Sequence, residues 1–317
     1  MSAVGVGDVS GAADIAVWPV EGVDGMKVAI SGAGVAGPSL AHWLHRAGHE
    51  PTLIERAPHF RTGGYVIDFW GVGYRVAQRM GIEAAVRDAG YQVQSIRSVG
   101  PDGQVRASVG VEALRRAAGG RFTSVPRGDL AAAIYATIAD DVETIFGDSI
   151  TAVNEHPDGV CVSFAQAKTR DFDLVIGADG LHSTVRRLTF GPESDVEHYL
   201  GCLVAACVVE GYRPRDELAY VTHSQPGRSV GRFSLRRDRA MFLFVFRSHQ
   251  AADPGERPRV RRCCAASSAT RAGNARKSWP RSTVSTICTS MSSARSAWIA
   301  GRGAEPHSSA TPRPVSR

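Results

Sequence analysis

Residues 27–56 read KVAISGAGVAGPSLAHWLHRAGHEPTLIER, and no other stretch of the chain limits the fold so strongly. Val28, Ala29 and Ile30 form the short, unbroken apolar run of a strand buried on both faces. Gly32, Gly34 and Gly37 follow as G-x-G-x-x-G. The first glycine permits the tight turn, the second lets the backbone approach a pyrophosphate, and the third lets helix and strand pack closely. Leu40, Trp43 and Leu44 recur at helical spacing, and Gly48 suits the helix end. Thr52, Leu53 and Ile54 make a second strand. Glu55, 18 residues beyond Gly37, is placed to accept hydrogen bonds from ribose hydroxyls, with Arg56 beside it as a further cofactor-binding candidate. Strand, glycine turn, helix, strand and acid in this order predict a Rossmann nucleotide site. The pattern alone does not separate NAD from FAD. His42, His45 and His49 read as a solvated helix face and its end, not as ligands.

The charge balance excludes one class of partner. The 317-residue chain carries a net +6, but residues 257–317 hold 12 Lys+Arg against one acid, Glu305. The remainder is therefore at −5, and a mildly acidic body with a basic tail that lacks interleaved aromatic residues speaks against a nucleic-acid binder. The six cysteines at 161, 202, 207, 263, 264 and 288 lack metal-ligand spacing and read as reduced thiols of a cytoplasmic protein. No run of about 18 apolar residues predicts a membrane span. Asp8, Asp14, Glu21 and Asp24 break up the first 25 residues, which read as a disordered extension ahead of Met26, itself a candidate start.

Three further blocks decide the dinucleotide. Residues 172–187, FDLVIGADGLHSTVRR, give a buried strand at Leu174–Ile176, the turn Gly177-Ala178-Asp179-Gly180, and a helix start at Ser183. This resembles the GADG-x-x-S-x-x-R motif of the flavoprotein aromatic hydroxylases, the family of para-hydroxybenzoate hydroxylase and the tetracycline-inactivating monooxygenases. SVPRGDLAAAI, residues 124–134, resembles that family's R-x-x-L helix. RTGGYVIDFWG, residues 61–71, is similar to its glycine pair and the loop beside the flavin.

The resemblance implies FAD as the bound cofactor and NADH or NADPH as transient reductant. It places Gly32, Gly34 and Gly37 on the diphosphate, Glu55 on the adenosine ribose, Arg127 on the flavin side, and Asp179 with Gly180 at the pyrophosphate and the reductant's approach. Asp68 is a weaker candidate for FAD and Arg61 for the reductant. The implied activity is monooxygenation: NAD(P)H reduces FAD, the reduced flavin forms a C4a-hydroperoxide with O2, and one oxygen atom enters a small aromatic or polyketide-like substrate. Positioning and exclusion of water are then the protein's share. Neither a metal cluster nor a catalytic triad is predicted, and the catalytic residues and oligomeric state are not identified.

The expected fold is α/β: a Rossmann-like FAD-binding domain over 26–190, which substrate-domain elements can interrupt, and a mixed or antiparallel sheet over 191–255. GCLVAACVVEGY and RAMFLFVFR are its strands. Phe233, Phe242, Phe244 and Phe246 are candidates for pocket lining or for packing within the sheet. Competing readings are a reductase or halogenase of the same fold, a partner-binding protein using the basic tail, and a non-functional product.

Residues 256–317 are expected to be an irregular, basic, low-complexity tail. Of residues 257–317, 33 of 61 are Ser, Ala or Arg, too few large apolar groups to bury much surface. The hydroxylase family carries a strand followed by GD-A near its C-terminus, and nothing here matches it. A shifted reading frame restores one. Taking the last base of each codon with the first two of the next, Cys263-Cys264 forces Leu, Trp279-Pro280 forces Ala and Trp298-Ile299 forces Asp. From 286 onward the permitted codons admit DLYFDVVSQIRMDRWSRGRTALVGDA, which ends in the missing motif. The tail therefore reads as a frameshift beginning near 256–263.

Overall fold

The computed structural model describes residues 25–61, 64–211 and 216–248, with two further strands at 285–293 and 298–301. In chain order it begins with β1 (Lys27–Ser31), α1 (Ala36–Arg46), β2 (Glu50–Glu55), β3 (Val66–Trp70), α2 (Gly71–Arg79) and α3 (Glu83–Ala89). There follow β4 (Ser95–Val99), β5 (Val105–Gly110), α4 (Glu112–Ala117), β6 (Phe122–Pro126) and α5 (Arg127–Tyr135). Next come β7 (Glu143–Phe146), β8 (Ile150–His156), β9 (Gly159–Phe164), β10 (Arg170–Phe172), β11 (Leu174–Gly177) and α6 (Thr184–Thr189). The last strands are β12 (His198–Glu210), β13 (Ala219–Gln225), β14 (Arg228–Leu235), β15 (Arg239–Arg247), β16 (Ser285–Ser293) and β17 (Trp298–Gly301).

The nucleotide-type sheet has the order β17-β11-β1-β2-β7. β1 pairs in parallel with both β11 and β2, and β2 with β7. Alternation along β1 explains its all-apolar sequence. Val28 and Ile30 pack with Ala41 of α1, Leu53 and Ile138. Ala29 points the other way, into a core with Ile54, Val175 and the strands β8 and β9. Both faces are covered, so a polar residue at any of these positions would be buried without a partner.

The second large sheet, β16-β12-β15-β14-β13-β4-β5, includes β4 and β5 from inside the 26–190 segment. β12 and β15 are antiparallel neighbours, Cys202 opposite Arg247 through Glu210 opposite Arg239. Between the two sheets lies the antiparallel ribbon β3-β6. Ile67 and Phe69 of β3 pack onto α2, α3 and α5. Val66, on the opposite strand face, joins Tyr91, Phe233 and Met241 against the seven-stranded sheet.

Three expectations need correction. Residues 285–293 and 298–301 of the tail are strands rather than irregular chain, with β16 along β12 and β17 along β11. Thr286, Ile287 and Thr289 are β-branched, and the free edge of β12 offers unpaired backbone groups. The rest of the tail, the expected extension up to residue 24 and the proposed frameshift start lie outside the described residues. His42 is not solvated: it is 6% exposed, its Nδ1 lies 2.9 Å from Thr137 Oγ1, and burial and then nearby Arg46 hold its pKa below the usual histidine value. His49 Nδ1 accepts from the Met26 N–H. Finally, Phe233 lies on one face of the seven-stranded sheet, whereas Phe242, Phe244 and Phe246 pack together on the other with Ala205 and Cys207. The strand period of two separates them, so the four do not line one pocket.

Candidate functional site

The glycine loop is built by close approach. Gly32 has φ +105°, and a β-carbon on it would lie 2.6 Å from Ala178 O and 2.8 Å from Asp179 Cα. Its N–H donates to Ile54 O at 2.7 Å. A β-carbon on Gly37 would sit 1.9 Å from Gly32 O, so helix α1 can reach the loop only through glycine. Gly34 differs: no protein atom lies within 4 Å of the position its β-carbon would take. Helix α1, 11 residues long, has neither a capping side chain nor an acid in its first turn. Its leading N–H groups and the positive end of its dipole therefore face the space beside Gly34.

Glu55 ends β2 next to this loop. It is 7% exposed, and its Oε2 accepts from Ala33 N at 3.0 Å. Its Oε1 accepts from Ala57 N and from Arg61 Nη2, each at 2.9 Å. Burial alone would push the Glu55 carboxyl up; the N–H groups of Ala57 and Ala33, then Arg61, outweigh it and hold the pKa below the usual carboxylate range. Arg61 thus sits at the Glu55 end of the loop, and Arg56 is exposed beside it.

Asp179 follows β11 at the opposite side of the loop. Its Oδ2 accepts from Thr184 N at 2.8 Å and from Val185 N and Ser31 Oγ at 3.3 Å. Its Oδ1 is buried with no hydrogen-bond partner. Gly180 is left-handed at φ +84° and borders open space. Ser183 caps α6, accepting from Arg186 N at 3.0 Å. Arg186 is 2% exposed and donates to Leu181 O, fixing the turn from beneath.

The two flavin-side motifs come together in the ribbon. Asp68 stands opposite Ser124, and Val66 opposite Pro126. Ser124 Oγ donates to Asp68 Oδ1 at 2.6 Å. Arg127 opens α5, its N–H donating to Tyr65 O at 3.0 Å, and Gly64 lies against its Cβ. The Arg127 side chain is exposed.

The structure therefore gathers Gly32, Gly34, Gly37, Glu55, Arg61, Asp179 and Gly180 around the carboxyl ends of β1, β2 and β11, where open α/β sheets bind ligands. Asp68 and Arg127 form a second group on the ribbon. Sequence reasoning missed Ser31, Ser124, Arg186 and Tyr220. Ser31, Ser124 and Arg186 lie inside quoted stretches but were not singled out; Tyr220, on β13, carries no local signal, because only strand pairing brings it within electrostatic reach of Asp68.

These features fit a dinucleotide diphosphate: a space only a glycine leaves open, a helix N-terminus aimed at it, and an acid at the end of the second strand.

Comparison with known proteins agrees. A family model described as "FAD binding domain" matches residues 25–301. An uncharacterized protein of Mycobacterium tuberculosis is 39% identical over 193 residues, covering 60% of this chain and 51% of that protein. A flavin-dependent monooxygenase of Legionella longbeachae is 32% identical over 194 residues, covering 59% and 48%. Among solved structures, the tetracycline destructase Tet(55) superposes with a TM-score of 0.65 at 30% identity, covering 76% of this chain and 62% of that one. The chain spans about half the length of the curated relatives it matches.

Proposed function

The chain belongs to the FAD-binding domain family, and on that premise we propose that it acts as an FAD-dependent monooxygenase on a small aromatic or polyketide-like substrate, with NADH or NADPH as reductant and O2 as co-substrate. The observation that carries this reading is the meeting of the glycine loop, Glu55 and Asp179 at one sheet edge, with the Asp68–Arg127 ribbon beside the seven-stranded sheet. FAD, when bound, supplies the redox chemistry and the activation of oxygen. The protein's residues bind and orient. The N–H groups at the start of α1 take the diphosphate, which Gly34 leaves room to approach. Glu55 accepts from the adenosine ribose, with Arg61 holding its second oxygen. Arg127 reaches toward the flavin side. The Asp179–Gly180 turn, held by Ser31 and the N-terminus of α6, closes the pyrophosphate end. The seven-stranded sheet, packed against the Val66 face of the ribbon, would cover the ring side and exclude water. A cytoplasmic location belongs to the same proposal; no helix among the described residues is long and apolar enough to cross a membrane.

The domain limits 26–190 and 191–255, and a frameshifted tail from near 256–263, belong to the same proposal. The abrupt composition change supports the frameshift. The test is purification of the chain with its reading frame restored near 256–263, in excess FAD, followed by flavin absorbance and NAD(P)H oxidation with a panel of phenols. A yellow protein whose NAD(P)H consumption rises with a phenol is expected. A colourless protein that takes up no FAD would overturn the reading.

A further inference from the structure

Asp68 is an unusual residue for its place. It lies mid-strand in β3 between Ile67 and Phe69, which pack onto the helices behind. Its own side chain is exposed on the other face, toward the seven-stranded sheet that Val66 packs against. One carboxylate oxygen is fixed by the Ser124 hydroxyl at 2.6 Å. Ser124 is 1% exposed and clamped in both directions to Tyr91, at 2.7 Å and 3.0 Å, so this anchor is rigid. The surroundings are aromatic. Trp70, on the same strand face, is 51% exposed. Tyr220 stacks on Phe233 at 5.8 Å, and Met241 Sδ accepts from the Val66 N–H at 3.2 Å. Burial, then the charge of Asp68, raises the Tyr220 pKa, so this hydroxyl keeps its proton and Asp68 lies within electrostatic reach of it.

A carboxylate held by one hydroxyl and exposed among aromatic rings has acceptor capacity left for a ligand hydroxyl, which would take the place of water there. We propose that Asp68 is a substrate-binding residue that accepts the O–H of a phenolic or enolised ring, with Trp70 and Tyr220 walling that ring. The inference rests on the monooxygenase reading and deepens it. It assigns Asp68 to the substrate rather than to FAD. Phenols titrate about six pH units above carboxylic acids, so the carboxylate does not take the proton outright. It polarises the O–H and raises electron density on the ring, which favours transfer of an electrophilic oxygen to an adjacent carbon. A ligand lacking the hydroxyl leaves the carboxylate desolvated and unpaired, and selectivity arises from that cost.

The experiment uses the full chain reconstituted with excess FAD, and its Asp68→Asn and Tyr220→Phe variants. Flavin content, melting temperature and the flavin difference spectrum are recorded on titration with 1-naphthol, 1-methoxynaphthalene and 1-naphthylmethylamine. Parent protein is expected to bind naphthol more tightly than the ether. Asp68→Asn, isosteric and exposed, keeps its flavin and melting temperature but weakens naphthol binding by about 10- to 100-fold, the loss of one charge-assisted hydrogen bond, and abolishes the preference over the ether. Tyr220→Phe retains that preference. Loss of FAD from Asp68→Asn would make Asp68 a cofactor ligand and overturn the proposal. So would unchanged naphthol binding, a parent protein that holds FAD without preferring naphthol, or an Asp68-dependent preference for the amine, which would mark an ion-pair site. A parent chain that takes up no FAD at all refutes instead the monooxygenase reading on which this one stands.

Discussion

Gly34 and Gly37 are three residues apart in one motif, yet the structure assigns them different physical jobs, and two substitutions separate these. At Gly34 a β-carbon meets no protein atom within 4 Å. Gly34→Val therefore leaves the apo fold intact: with no clash and no positive φ, the lower entropy of the unfolded chain shifts stability by less than about 1 kcal/mol, in the stabilising direction. It does place a branched side chain in the space left for the diphosphate. If two charge-assisted hydrogen bonds from backbone N–H groups are lost, at about 1.5–3 kcal/mol each, FAD affinity falls by roughly two to four powers of ten. At Gly37 the β-carbon would lie 1.9 Å from Gly32 O, so helix or loop must shift. Gly37→Ala is an overpacking change costing about 1–3 kcal/mol, or a melting temperature lower by roughly 3–10 °C for a domain of this size. The assay is thermal melting of each variant without FAD, paired with titration by FAD followed through quenching of its fluorescence. A Gly34→Val protein that binds FAD as its parent does, or whose apo form melts as low as Gly37→Ala, would refute the division of labour.

Further outcomes follow from individual contacts. Glu55→Ala is expected to weaken FAD by about 1.5–3 kcal/mol through loss of a charged acceptor, seen in the same titration. Asp148, 3% exposed, accepts from Ser149, Ala165, Gln166 and Ala167 N–H at 2.7–3.0 Å; burial pushes its pKa up, but these four donors pull it further down, below the ordinary aspartate value. A depressed folded pKa contributes stability above the unfolded pKa, near 4, that disappears as pH falls through the folded value. Asp148→Asn should thus lose about 1–3 kcal/mol at neutral pH, and urea midpoints taken at falling pH should converge with those of the parent. Restoring the reading frame near 256–263 is expected to turn a poorly soluble chain with weak FAD binding and no coupled hydroxylation into a yellow, NAD(P)H-oxidising protein; equal flavin content and turnover in the two versions would show the tail to be a legitimate C-terminus.

What could be read from the sequence was whatever is encoded within a few neighbouring residues. The glycine loop, the acid after β2 and the GADG turn announce themselves because strand, turn and helix signals adjoin. Their contact with one another, Gly32 against Ala178 and Asp179, follows once β1 and β11 are parallel neighbours. Ser124 and Tyr220 could not be found this way. Each is an ordinary strand residue, and its role comes from partners 56 positions away in the case of Ser124 and Asp68. The phenylalanines of β14 and β15 illustrate a second limit. Composition marks them as apolar, but which face each takes depends on register: Phe233 pairs with Met241, so Phe242 must face the other way. His42 was misjudged for a related reason. Its helix presents a second buried face to Thr137, which no periodicity of α1 alone discloses.

The tail offers an argument about direction. β17 runs antiparallel to β11, Trp298 opposite Gly177 and Gly301 opposite Leu174, while β11, β1, β2 and β7 are mutually parallel. Ligands sit at the carboxyl ends of the parallel strands. Gly301, the last residue of β17, therefore lies at the far edge of the sheet, away from Gly32 and Asp179. A strand that delivers a GD pair to the cofactor must run the other way, parallel to β11, so that its last residues reach the diphosphate edge. β17 as it stands cannot do this, whatever its side chains. The shifted frame places its GD pair at 309–311, some ten residues beyond β17 and directly after the apolar stretch TALV. Under that reading the parallel strand is a later segment, and the edge of β11 now occupied by β17 is the place it would take. We take the direction of this one short strand as support for the proposed frameshift, which the coding DNA across codons 250–317, read in three frames, would test.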